Sequence, residues 1–412
     1  MSRARPESLA DRPVSVRLAS ERPVGAAETV VEQLVARALM IPTDAPEADG
    51  TLRWDATTVV LAEAHAAGCT GLGYSYAAAS AAPLISGLLS DAVLGADALS
   101  PPASWARMRR AVRNIGYPGV ASSAISAVDV ALWDLKARLL GVALSTLLGR
   151  VRERVPVYGS GGFTSYSPEQ MERQLSGWVE QGIRSVKIKV GSEPGLDPER
   201  VKHARNVIGE QVGLFVDANG AYQRKQALRL AETFGEQAAV SWFEEPVSSD
   251  DLEGLRLLRD RGPAGMSIAA GEYGYDLFYF RRMLDAGAVD VLQADATRCG
   301  GITELLQIGA LCAARSVRLS AHTSPTIHAH VCAAIDPLEH VEYFHDHARI
   351  EQLLFDGTPP LRDGALCPDA AVPGLGLTLR EDEAECYRLR ETTVGRRGRH
   401  KRSSEAEDAG RQ

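Results

Sequence analysis

Between residues 155 and 344, short apolar runs alternate with longer segments of helical periodicity. "VPVYGSG" from Val155, "SVKIKV" from Ser185, "VGLFVDANG" from Val212 and "AVSWFEEP" from Ala239 open the series. "MSIAAGE" from Met266, "VDVLQAD" from Val289, "SVRLSAH" from Ser316 and "HVEYF" from His340 complete it. Each run has strand length and turn signals at its ends, and segments such as "SPEQMERQLSGWVEQG" and "TELLQIGALCAARS" between them carry apolar residues at helical spacing. Eight βα units of this size predict a (β/α)-barrel over 151–355. A doubly wound sheet is the rival, but "GSGG" at 159–162 does not fit the G-x-G-x-x-G loop that such a sheet uses for dinucleotides.

Upstream the rhythm differs. "PVSVRL" and "TLRWDATTVVLAEAH" read as strands, and "PPASWARMRRAVRNIG" and "ASSAISAVDVALWDLKARLLGVALSTLLG" as helices. Strands followed by helices predict a small α+β domain over 14–150. The turn-rich segment 356–390 is expected to pack back on that domain. The charged end, 391–412, reads as a disordered basic tail.

Composition narrows the classes. The chain has 412 residues, is 45% hydrophobic and carries a formal net charge of −8. That charge argues against general affinity for nucleic acid or anionic membrane. No stretch approaches the ~20 apolar residues of a membrane helix, and the N-terminus lacks the apolar core of a signal peptide. The six cysteines show no C-x-x-C pair, which fits a reducing, cytoplasmic setting rather than a disulfide framework or a zinc site.

The polar residues are informative because barrel enzymes build their sites at the C-terminal ends of the strands. Those ends here are Lys187 and Lys189, Asp217 and Asn219, Glu244 and Glu245, Glu272, Asp295, His322 and Glu342. Charges scattered at random would not track the strand ends. Asp217, Glu244 and Glu272 fall on adjacent strands, and three converging carboxylates repel unless a cation holds them. Oxygen-only ligation suits Mg2+, with Mn2+ as the alternative. The competing reading is a set of ion pairs to Lys187, Lys189 and Arg298. Lys189 and His322 should face one another across this cluster, with Asp295 orienting the imidazole. Two bases flanking a metal suit removal of a proton next to a carboxylate, through an enediolate that Lys187 and a protonated Glu342 would stabilise. Lys187 and a dication should lower the Lys189 pKa toward the range of a general base.

The set K-x-K, D-x-N, "FEEP", "GE", "QAD" and "SAH" resembles the enolase superfamily, and within it the mandelate racemase subgroup. The resemblance runs over roughly residues 14–385. It implies a modified TIM barrel of (β/α)7β type under an N-terminal α+β cap, with Mg2+ on Asp217, Glu244 and Glu272. It also implies Lys189 as base, Lys187 as its electrophilic neighbour and His322 with Asp295 as the opposite acid/base dyad. Glu342 matches a position that bonds the substrate carboxylate, and Asn219 one that meets the α-hydroxyl. The implied reaction is dehydration of an acid sugar, an aldonate or aldarate, to a 2-keto-3-deoxy acid. Racemisation or epimerisation of a 2-hydroxy acid is the alternative, and a non-catalytic sugar-acid binder a remote one. The family also implies a homo-oligomer, from dimer to octamer. Cap loops at Leu18–Ala27 and Gly71–Ser80, with Tyr74 and Tyr76, are candidates for the distal end of the substrate.

Overall fold

The computed structural model describes residues 29–395. The strand expected at "PVSVRL" and the loop Leu18–Ala27 lie outside them. In the cap, β1 (Gln33–Ala48), β2 (Arg53–Ala66) and β3 (Cys69–Tyr76) form an antiparallel meander. The helix Val120–Leu139 covers one face of this sheet and is buried along most of its length. Two glycines on β3 permit the approach: a Cβ on Gly71 or Gly73 would come within 2.2 Å of the helix carbonyls of Ala131 or Ala127.

The disordered tail expected from residue 391 needs correction at its start. A strand, Arg388–Gly395, pairs antiparallel with the outer edge of β1, from Leu39↔Arg388 to Gln33↔Gly395. An edge strand offers unpaired backbone groups, and "ETTV" supplies β-branched residues to take them. Residues 396–412, the remainder of that tail, lie outside the described residues.

The eight predicted barrel strands are all present: β4 (Val155–Gly161), β5 (Ser185–Lys189), β6 (Gly213–Asp217), β7 (Val240–Glu244), β8 (Ser267–Ala270), β9 (Val291–Ala294), β10 (Arg318–Ala321) and β11 (Leu338–Phe344). Each pairs in parallel with the next, and β11 pairs with β4 to close the barrel. Tyr158, Phe215, Trp242, Ala269 and Val291 fill the interior below the mouth, with the Phe215 and Trp242 rings stacked at 5.3 Å. Helices follow the strands around the outside.

The helix after the last strand, His345–Leu354, forms the seam with the cap. Tyr74 Oη donates to Glu351 Oε1 at 2.6 Å, Tyr76 Oη to the His347 carbonyl at 3.2 Å, and Thr57 Oγ1 to Asp346 Oδ2 at 2.5 Å. The segment after residue 355 runs back to the covering helix: Leu375 N–H donates to Asp134, and Gly374 exchanges backbone bonds with Val142 and Leu144. Seam and return segment together hold the cap over the C-terminal ends of the barrel strands.

Candidate active site

Strand pleat and register build the site. Lys187 and Lys189 share a face of β5 because strand side chains repeat every second residue. Parallel pairing places Lys189 beside Asp217 and Asp217 beside Glu244, so three strands end in one row. Glu272 follows β8 by way of Gly271, which has φ +139° and passes so close to β9 that a Cβ would lie 2.0 Å from the Gln293 carbonyl. That turn brings the Glu272 carboxylate back to the row. Carboxylate oxygens of Asp217, Glu244 and Glu272 lie within 4.8 Å of one another, and all three side chains are buried.

The lysines divide between two levels. Lys187 is fully buried, with Nζ 2.5 Å from Glu244 Oε1, 2.7 Å from Glu342 Oε1 and 3.4 Å from Asp217 Oδ2. Lys189 Nζ lies 2.6 Å from Asp217 Oδ2 and donates to Asn219 Oδ1 at 3.1 Å. Across the mouth, His322 Nε2 lies 3.0 Å from Glu272 Oε2, and its Nδ1 lies 3.0 Å from Asp295 Oδ2. Asp295 is itself fixed by Thr297, whose N–H and Oγ1 both donate to Oδ1 at 2.7 Å.

A cavity of about 440 Å3 opens between barrel and cap, a size suited to a small ligand. Of the nine candidate residues, Lys189, Asn219, Glu272 and His322 line it, while Lys187, Asp217, Glu244, Asp295 and Glu342 lie beneath. Glu342, the expected partner of the substrate carboxylate, bonds Lys187 and accepts the Thr323 N–H at 3.1 Å. Burial alone would raise its carboxyl, but Lys187 and His322 outweigh burial and hold it at about 2. The expected lowering of Lys189 is likewise reversed. Burial pulls its ammonium down, but Asp217 beside it outweighs burial and the net direction is up; the expectation had counted a dication competing for that carboxylate.

The donor set fits a hard cation. Burial first, and then Asp217, push Glu244 up to about 8, the sign of a carboxylate cluster short of positive charge. All three donors are carboxylates, the chemistry that Mg2+ prefers.

Several lining residues went unassigned in the sequence. Trp54, Thr57 and Thr58 come from β2, His347 from the seam helix, and Tyr273 and Arg298 from the loops after β8 and β9. Arg298 bridges toward Glu272 and Asp295 at 4.0 and 3.7 Å, so the ion-pair reading recognised it as a partner but not as part of the wall. Tyr76 lines the cavity and stacks on His347 at 3.3 Å, whereas Tyr74 is core. The histidines at 328 and 330 lie on one short helix, and His328 accepts the Ala296 N–H.

Sequence comparison settles the family. Residues 30–149 match the mandelate racemase / muconate lactonizing enzyme N-terminal domain, and residues 170–383 the enolase C-terminal domain-like family. The chain belongs to the mandelate racemase / muconate lactonizing enzyme family of the enolase superfamily. It is an enzyme of that superfamily, whose members similar to it include acid-sugar dehydratases, cycloisomerases and an epimerase. L-talarate/galactarate dehydratase of Salmonella typhimurium is 33% identical over 333 residues, 78% of this chain and 81% of that protein. A mandelate racemase/muconate lactonizing enzyme-like protein from Rubrobacter xylanophilus is 56% identical, with a TM-score of 0.86 over 87% of this chain and all (100%) of that one. L-talarate dehydratase from Polaromonas sp. JS666, solved with Mg and L-glucarate, is 31% identical, with a TM-score of 0.81 over 89% of this chain and 100% of its own.

Proposed function

We propose that this enzyme removes the proton α to the carboxylate of an acid sugar, an aldonate or aldarate, and eliminates the β-hydroxyl as water. The observation that carries the proposal is that two proton carriers, Lys189 and His322, line one cavity and each touches a different end of the Asp217–Glu244–Glu272 cluster. The acid-sugar dehydratases among its relatives, and the Mg in the Polaromonas complex, support substrate class and metal.

Asp217, Glu244 and Glu272 would hold Mg2+, which supplies positive charge opposite a carboxylate becoming electron-rich. Lys189, as the free amine, takes the α-proton, and the C–H electron pair moves into the substrate to give an enediolate. Asn219, 3.1 Å from Lys189 Nζ, would meet the α-hydroxyl. His322, held by Asp295, gives its proton to the β-oxygen as the C–O bond breaks, so water departs and an enol remains that tautomerises to the 2-keto-3-deoxy acid. Lys187 stabilises the developing negative charge from below, and Glu342 positions Lys187.

The same pair could return the proton to the opposite face, which would make the product an epimer; the epimerase among the relatives keeps that reading in view. A panel of acid sugars with Mg2+ in D2O separates the two. A 2-keto-3-deoxy product supports dehydration, α-deuteration without a keto product supports epimerisation, and neither with any acid refutes both.

A further inference from the structure

A second group of metal-ligating side chains lies at the seam, outside the catalytic cavity. Asp44 and Glu47 come from β1 where its register against β2 breaks between Pro42 and Glu47, and the bulge turns both toward the barrel. His345 is the first residue after β11. One ligand atom from each lies within 4.8 Å of the others. Asp44 Oδ2 and His345 Nε2 are 2.9 Å apart, and an open cleft of about 460 Å3 reaches both from solvent.

Glu47 points to a ligand. It is fully buried (0% exposed), and Oε2 accepts the Trp54 indole N–H at 2.8 Å, yet Oε1 has no hydrogen-bond partner. A buried carboxylate oxygen without a partner costs several kcal/mol unless a proton or a cation meets it. An imidazole and a second carboxylate within ligation range supply the rest of a coordination sphere.

We propose that Asp44, Glu47 and His345 form a second cation site, separate from the carboxylate cluster in the barrel, that takes a borderline divalent ion of the Zn2+ class. One nitrogen and two oxygen donors suit such ions better than Mg2+, which the oxygen-only cluster suits. The ion would replace the proton shared between Asp44 and His345 and would clip the β1 bulge to the last βα turn. Because Trp54 bonds Glu47 and also lines the catalytic cavity, the clip would fix one wall of that cavity.

The test is equilibrium dialysis of the full chain against Zn2+ in excess Mg2+, with bound metal measured by mass spectrometry and Tm followed in parallel. The expected result is one Zn2+ per chain and a Zn2+-dependent rise in Tm, since an ion that binds only the folded state stabilises it. Glu47→Gln and His345→Ala should weaken Zn2+ binding at least about tenfold, because losing a direct ligand costs no less than losing a residue that orients one. Asp44→Asn, at an exposed position, should do the same and keeps the test valid if a buried variant misfolds. No retained Zn2+ in the native protein, as a protonated Glu47 would give, overturns the proposal. So does Zn2+ binding that survives all three substitutions, as an ion lodged in the barrel cluster would.

Discussion

Nδ1 of His322 lies 3.0 Å from Oδ2 of Asp295, which leaves Nε2 facing Glu272 and the cavity. Burial raises the Asp295 carboxyl, but the His322 bond and charge outweigh it and hold the group well below the usual carboxylate range. Asp295 therefore only accepts, and Nδ1 carries the proton. Asp295→Asn presents an amide that can donate instead, so the ring takes the wrong tautomer or turns. Steady-state kinetics should show kcat lower by roughly 10²-fold or more with KM nearly unchanged; an equal loss confined to KM would make Asp295 a binding residue.

Lys187, fully buried, is the shared cationic partner of Glu244, Glu342 and Asp217. Lys187→Met leaves those carboxylates uncompensated, and removing one partner from a buried ionic group costs about 3–5 kcal/mol. Denaturant unfolding should show a loss of that order without Mg2+ and a smaller one with it. Equal losses under both conditions would mean that the cation does not share the charge of this cluster.

Glu272→Gln removes one charge from the cluster while keeping its shape. Mg2+ affinity by calorimetry should fall at least about tenfold, and activity on any acid sugar should need correspondingly more Mg2+. Activity that persists in EDTA would contradict the metal assignment.

The seam predicts a pH effect on stability. Burial pushes Glu351 from 4.5 up to about 7, against the hydrogen bonds from Tyr74 and Thr326. A raised acid binds its proton more tightly folded than unfolded, so its contribution is intact below about pH 4.5 and is lost as pH rises through about 7. Glu351→Gln keeps the neutral form at every pH. Relative to the native protein it should gain stability between pH 5 and 8, by up to about 3 kcal/mol. A difference in unfolding free energy that stays flat over that range would show that Glu351 is already ionised in the fold.

The barrel and its ring of strand-end charges were legible in the sequence for one reason. A buried parallel strand is a short apolar run, and the residue that ends it must face the mouth, so Asp217, Glu244, Glu272, Asp295 and His322 announce their positions locally. Trp54, Thr57 and His347 could not be read this way. They reach the cavity only because the cap docks through Tyr74, Thr57 and Arg349 on the helix after β11, a relation between segments about 300 residues apart. The charge states of Lys189 and Glu342 depend on which oxygen each nitrogen meets, at 2.6 and 2.7 Å, and spacing along a strand does not encode that.

The central claim is that Lys189 and His322 move protons at the α- and β-carbons of an acid sugar. The most direct measurement is NMR of an acid-sugar panel with Mg2+ in D2O, using the native enzyme, Lys189→Ala and His322→Asn. The account predicts a 2-keto-3-deoxy product from at least one acid with the native enzyme and none from either variant. Native-level product from either variant, or no product and no α-deuteration with the native enzyme on any acid, would contradict it.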